Sequence, residues 1–175
     1  MGAPTTDRAV PSLADFARLH WHDLRRFGSG LTGSHADGED LVQTALLKVA
    51  PRWHRMDGDP LAYVRRVMVH ENISRWRRHR GRETLAADPH AGREPTQTGP
   101  EQHAWDVAVA LRELTPKQRT VLVLRYLEDR TERETADLMG VRIGTVKSAT
   151  RDALAALRRV APHLLEDRVR TPHDG

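Results

Sequence analysis

At 175 residues the chain has room for one ordinary domain or two small ones. Apolar residues make up 38% and aromatics only 5%, so any core must rest on Leu, Val and Ala; there is no cysteine, which excludes a disulfide framework and cysteine-based zinc sites. Lys and Arg number 28 against 24 Asp and Glu, a net charge of +4, so where the charge sits matters more than its sum. No run of about 18 apolar residues occurs, and the start "MGAPTTDRAV" carries no apolar signal core. The expected setting is the cytoplasm.

Residues 12–80 read as helices. "SLADFARLHWHDLRRF" opens with Ser12 as N-cap and Asp15 three residues on, and Leu13, Phe16, Ala17, Leu24 and Phe27 form its apolar stripe. Gly28, Gly30 and Gly33 then break the pattern. "SHADGEDLVQTALLKVAPRW" starts acidic, as the positive end of a helix favours. Its apolar positions recur at helical spacing until Pro51 ends or kinks the helix. After the turn "RMDGD", Asp59 caps a third helix with Pro60 at its first position.

Between Arg65 and Arg82 stand seven arginines and a single acid, Glu71. So dense a cationic face repels itself unless a polyanion neutralises it, which points to nucleic acid. Trp53, Tyr63 and Trp76 lie in or near it. Each either stacks on unpaired bases or fills the core. Residues 81–101 hold three Pro and three Gly with no period and read as a linker.

Residues 102–165 form a second helical unit. "TPKQ" and "TERE" are both capping boxes, Thr115 with Gln118 and Thr131 with Glu134. In "TERETADLMGVRIGTVKSATR", Ala136 is small enough for two helices to touch. Gly140 tolerates a left-handed turn, and Val146 buries back into the corner. That is a helix-turn-helix. Its outer face offers Thr145, Lys147, Ser148, Thr150 and Arg151, suited to phosphates and base edges.

The scattered histidines and the acids at 37–40 form no recognised metal or nucleophile motif, so no catalytic residue, metal site or cofactor is expected. The predicted fold is all-α: two small helical domains joined by a flexible linker, the C-terminal one a helix-turn-helix. The boundaries are 10–82, 83–101, 102–165 and a disordered tail over 166–175.

At this point the sequence resembles bacterial RNA polymerase sigma factors of the extracytoplasmic-function type, over about residues 10–160 and with an actinobacterial cast. The residues that carry the likeness are "LRELTPKQRTVLVLRYLEDRTERETADLMGVRIGTVKSATRDALAALRR" for region four, with "GTVKS" its most specific element, and "ADGEDLVQTALLKV" and "AYVRRVMVHENISRWRRHR" for region two. The resemblance implies a protein that binds core RNA polymerase and directs promoter-specific initiation. Asp40, Leu41, Gln43, Leu46 and Leu47 would dock on the clamp of the largest subunit, with a second contact at the flap. Asn72, Arg75, Trp76, Arg77 and Arg78 would read and melt the minus-ten element, with a base flipped near the Trp53–Pro60 loop. The helix from Ile143 to Leu157 would enter the minus-thirty-five element, with Arg142, Thr145, Lys147, Ser148, Thr150 and Arg151 toward DNA. The family pattern is departed from at Arg142, Ala149 and Thr150. An anti-sigma factor is an implied partner, and a monomer the implied free state. The competing expectation is a stand-alone helix-turn-helix regulator. It would need an effector or receiver domain, for which residues 12–80 show no strand pattern.

Overall fold

The computed structural model describes residues 11–80 and 110–162, and these are helical with no strand among them. The expected linker and tail lie outside the described residues.

Helix α1 spans Leu13–Thr32. Ser12 caps it, its hydroxyl oxygen accepting from the Asp15 N–H at 3.1 Å, while that hydroxyl donates to the Asp15 carboxylate at 2.6 Å. The expected break at Gly28 and Gly30 does not occur. The helix runs through both and ends at Gly33, whose φ of +77° closes the last turn. The two interior glycines are sites of close approach instead: α2, His35–Val49, crosses α1 where Gly28 meets Gly38.

Pro51 acts as expected. The α-helix stops at Val49, and Ala50–Arg55 continues as a 3-10 turn. Helix α3, Pro60–Arg80, starts where the Asp59 carboxylate accepts from the Leu61 N–H at 2.9 Å. Leu24, Leu31, Leu41, Val42, Val64 and Met68 are fully buried among these three helices.

In the second unit, residues 110–112 are helical and α4 spans Pro116–Leu122, capped by the complete Thr115–Gln118 box. The helix then widens into a π turn over Val123–Leu127. Helix α5, Glu132–Met139, carries the second complete box, Thr131 with Glu134. Gly140 takes φ +62° and ψ +42°, and α6 follows over Ile143–Val160. Ala136 and Val146 are 2% and 0% exposed, at the inner corner as their sizes require.

One apolar cluster is shared by both units. It runs from Phe16, Leu24 and Leu31 through Met68 to Val121, Val123, Leu124, Ala136 and Val146. A smaller one, including Leu111, Leu114, Leu122 and Leu157, lies within the second unit.

Candidate nucleic-acid and polymerase interface

The helix-turn-helix sorts the residues of α6 by face. Val146, Ala149, Ala153 and Leu157 point inward. Ala149 is 5% exposed, so this position faces the core and not the solvent. Arg142, Lys147 and Arg151 are exposed, the last two one turn apart on one face. Lys147 lies 3.7 Å from the Glu132 carboxylate, an exposed pair that solvent screens. Thr145, Ser148 and Thr150 are half-buried. The Ser148 hydroxyl donates to the Thr145 carbonyl at 3.1 Å and that of Thr150 to Val146 at 2.9 Å, which leaves their oxygens able to accept. No side chain caps α6, so its first N–H groups are open at the positive end of the helix. Ile143, 42% exposed there, is an apolar neighbour of that face that the charge-based reading passed over.

The basic helix α3 divides likewise. Arg77 and Arg78 stand in solvent. Arg75 is half-buried and donates to the Thr44 hydroxyl at 2.9 Å, which braces α3 on α2. Trp76 is half-buried against the shared cluster. Asn72 is 7% exposed, and its amide donates to the Thr120 hydroxyl at 3.1 Å and the Leu31 carbonyl at 3.4 Å. So the five expected minus-ten residues share a helix but not a surface. Among the aromatics, Trp53 is a core residue: it packs 4.7 Å from Phe16 and donates from Nε1 to the Pro11 carbonyl at 2.7 Å. Tyr63, 37% exposed, is open to stacking.

On α2, Asp40, Gln43 and Leu47 are exposed at helical spacing, and Leu47 is an apolar outcrop at 74%. Leu46 is half-buried and Leu41 is entirely inside. Arg119 was not anticipated. It is 8% exposed, with its guanidinium on the Leu111 and Leu114 carbonyls at 2.7 and 3.0 Å. The sequence signal was there: it precedes Leu122 and Val123 by three and four residues, inside the buried stripe.

Two carboxylates titrate low. The Thr131 backbone N–H and then its hydroxyl hold Glu134 below the usual range, and the Ser12 hydroxyl followed by Arg18 does the same for Asp15. Both serve helix starts. Among the described residues no three His, Asp or Glu side chains gather as a metal site, and no helix is long and apolar enough to cross a membrane.

The chain is similar to known proteins over both helical units. Residues 16–82 match sigma-70 region 2, and residues 105–157 match sigma-70, region 4. The RNA polymerase sigma-E factor of Streptomyces coelicolor is 37% identical over 153 residues, covering 85% of each chain. The ECF RNA polymerase sigma factor ShbA of Streptomyces griseus is 34% identical over 136 residues, covering 70% of this chain and 71% of that one. Among solved structures, the sigma factor RpoE of Bartonella quintana, crystallised with the anti-sigma factor NepR, overlays with a TM-score of 0.63 at 26% identity. The match covers 86% of this chain and 96% of that one.

Proposed function

The chain belongs to the bacterial RNA polymerase sigma factors of the extracytoplasmic-function type, a family whose members direct transcription, and on that premise we propose how its two units divide the work. The N-terminal unit, residues 10–82, holds core polymerase through Asp40, Gln43, Leu46 and Leu47 on the clamp, with Leu41 behind them as support. It meets the minus-ten element through Asn72, Arg75, Trp76, Arg77 and Arg78. The C-terminal unit, residues 102–165, enters the minus-thirty-five element with α6 and touches the polymerase flap. Residues 83–101 connect them, and 166–175 form a tail. The chain itself catalyses nothing. It works in the cytoplasm, free as a monomer, and answers to an anti-sigma factor.

The observation that carries this reading is α6. Its small residues close the corner on Ala136, while Arg142, Lys147 and Arg151 stand in solvent beside an uncapped helix start. Cations there neutralise phosphates, and an arginine can take a guanine edge with two hydrogen bonds. Run-off transcription on promoter fragments tests it. Purified core polymerase with the chain should start at defined sites, and core alone should not. A chain that binds promoter DNA unaided and leaves core polymerase unselective would be a stand-alone regulator instead.

A further inference from the structure

We propose that Ile143 makes the chain selective for thymine: its side chain packs on the C5-methyl group of one thymine in the minus-thirty-five element. This deepens the reading above, in which α6 enters that element, and rests on it.

Ile143 is the first residue of α6, and it is 42% exposed. Closing the helix start does not require it there. A helix start is commonly closed by an apolar pair, one residue before the cap and one in the fourth helical position. Val141 and Val146 hold those positions: Val146 lies in the shared apolar cluster and Val141 packs against it. Ile143 joins neither apolar cluster of the described residues. A β-branched side chain is also a weak helix former, so neither packing nor propensity selects it.

Its place on the helix is specific. Four residues carry an α-helix about 40° beyond a full turn. Lys147 and Arg151 follow Ile143 at that interval and both are exposed, so the three share one face within an arc of about 80°. Beside Ile143, Gly144 has no side chain, and a Cβ there would meet nothing within 4 Å. An aliphatic group thus stands at the open leading end of a cationic stripe.

The chemistry of the major groove decides what it meets. The leading residues of a recognition helix reach the base edges. Most of those edges are hydrogen-bond donors and acceptors, and covering one with a side chain that offers no partner strips its water without return. The thymine methyl is the apolar exception. Lys147 and Arg151 can answer phosphates and guanine, whereas Ile143 can answer only the methyl. Burying one such group is worth about fourfold in affinity.

The test uses the holoenzyme of chain and core polymerase on promoter duplexes. Deoxyuridine replaces the thymines of the minus-thirty-five element one at a time, which removes the methyl and keeps the base pairing. At one position the parent should bind about fourfold more weakly. Ile143→Ala should bind the thymine duplex more weakly by about the same factor, and should lose nothing further on deoxyuridine at that position. Ile143→Val keeps a branched aliphatic surface and should retain most of the discrimination. A residue that served only the fold would, when replaced, lower binding to both duplexes equally and leave the methyl preference in place. An Ile143→Ala variant that still tells thymine from deoxyuridine wherever the parent does overturns the proposal. So does a flat scan with the parent, or an element without thymine. Lys147→Ala and Arg151→Ala separate the two levels. If they weaken protection of the minus-thirty-five region while the scan is flat, α6 faces DNA and only the thymine contact falls. If neither changes that protection, the placement of α6 falls and the contact with it.

Discussion

Gly28 and Gly38 meet backbone to backbone at the crossing of α1 and α2. A Cβ on Gly28 would lie 2.6 Å from the Gly38 carbonyl oxygen, and one on Gly38 would lie 2.5 Å from the Ser29 nitrogen. In an open helix, alanine for glycine gains up to about 1 kcal/mol of propensity. Here the obstacle is backbone, which cannot swing aside, and overpacking of this kind costs about 1–3 kcal/mol or more. Gly38→Ala should therefore lower stability in urea unfolding. Gly144→Ala, with nothing within 4 Å of the added atom, should raise it by up to about 1 kcal/mol. The same chemical change with opposite signs isolates the crossing as the cause.

Leu41 and Leu47 lie on one helix with opposite fates, 0% and 74% exposed. Leu47→Asp should leave the melting temperature within a few degrees of the parent and sharply reduce co-purification with core polymerase. Leu41→Ala should cost about 2–5 kcal/mol of stability as a core cavity. Its polymerase binding should fall only as far as its folded fraction falls. Normal binding by the Leu47 variant would remove this face of α2 from the docking surface.

The division between what could be read in advance and what could not follows the range of each interaction. Caps are local, so Ser12, Thr115 and Thr131 and the turn at Gly140 were legible from residues three or four apart. The helix-turn-helix was legible because Ala136, Gly140 and Val146 each answer one local steric demand. Gly28 and Gly30 were misread as breakers because their reason lies on other elements, Gly38 in α2 and Val123 in the π turn. Leu41 joined the expected docking residues through the family resemblance, which points to a helix without saying which of its faces is covered. The burial of Asn72 depends on Thr120, 48 residues away, and no periodicity carries that distance.

The Thr131–Glu134 box makes a pH prediction. Hydrogen bonds from Thr131, backbone first, hold the Glu134 carboxyl below its ordinary value in the folded chain. A group depressed on folding adds stability above its unfolded value and loses it as pH falls through the folded one. The start of α5 should thus weaken in acid, below the ordinary glutamate range. Thr131→Ala removes the side-chain donor, so a carboxyl-detected NMR titration should find Glu134 shifted upward. The acid dependence of α5 protection in hydrogen exchange should flatten. No upward shift would mean that the backbone N–H alone sets the value.

Lys147 and Arg151 share one exposed face of α6, yet their roles at DNA should separate by salt. If Lys147 meets a phosphate, Lys147→Ala should weaken promoter binding alike across sequences and reduce the slope of log affinity against log salt by about 1. If Arg151 takes a guanine edge, Arg151→Ala should cost about 1–3 kcal/mol at the matching site and far less at a site lacking that base. The neighbouring acid adds a control of opposite sign. Glu132 stands 3.7 Å from the Lys147 ammonium, where its charge opposes an approaching phosphate. Glu132→Gln should therefore tighten binding at low salt, and the gain should fade as ionic strength rises and the Debye length shrinks to about 8 Å or less. Footprints of the minus-thirty-five region at two salt concentrations would read all three variants. Indifference of the footprint to Lys147, Arg151 and Glu132 together would move the DNA-facing surface off α6.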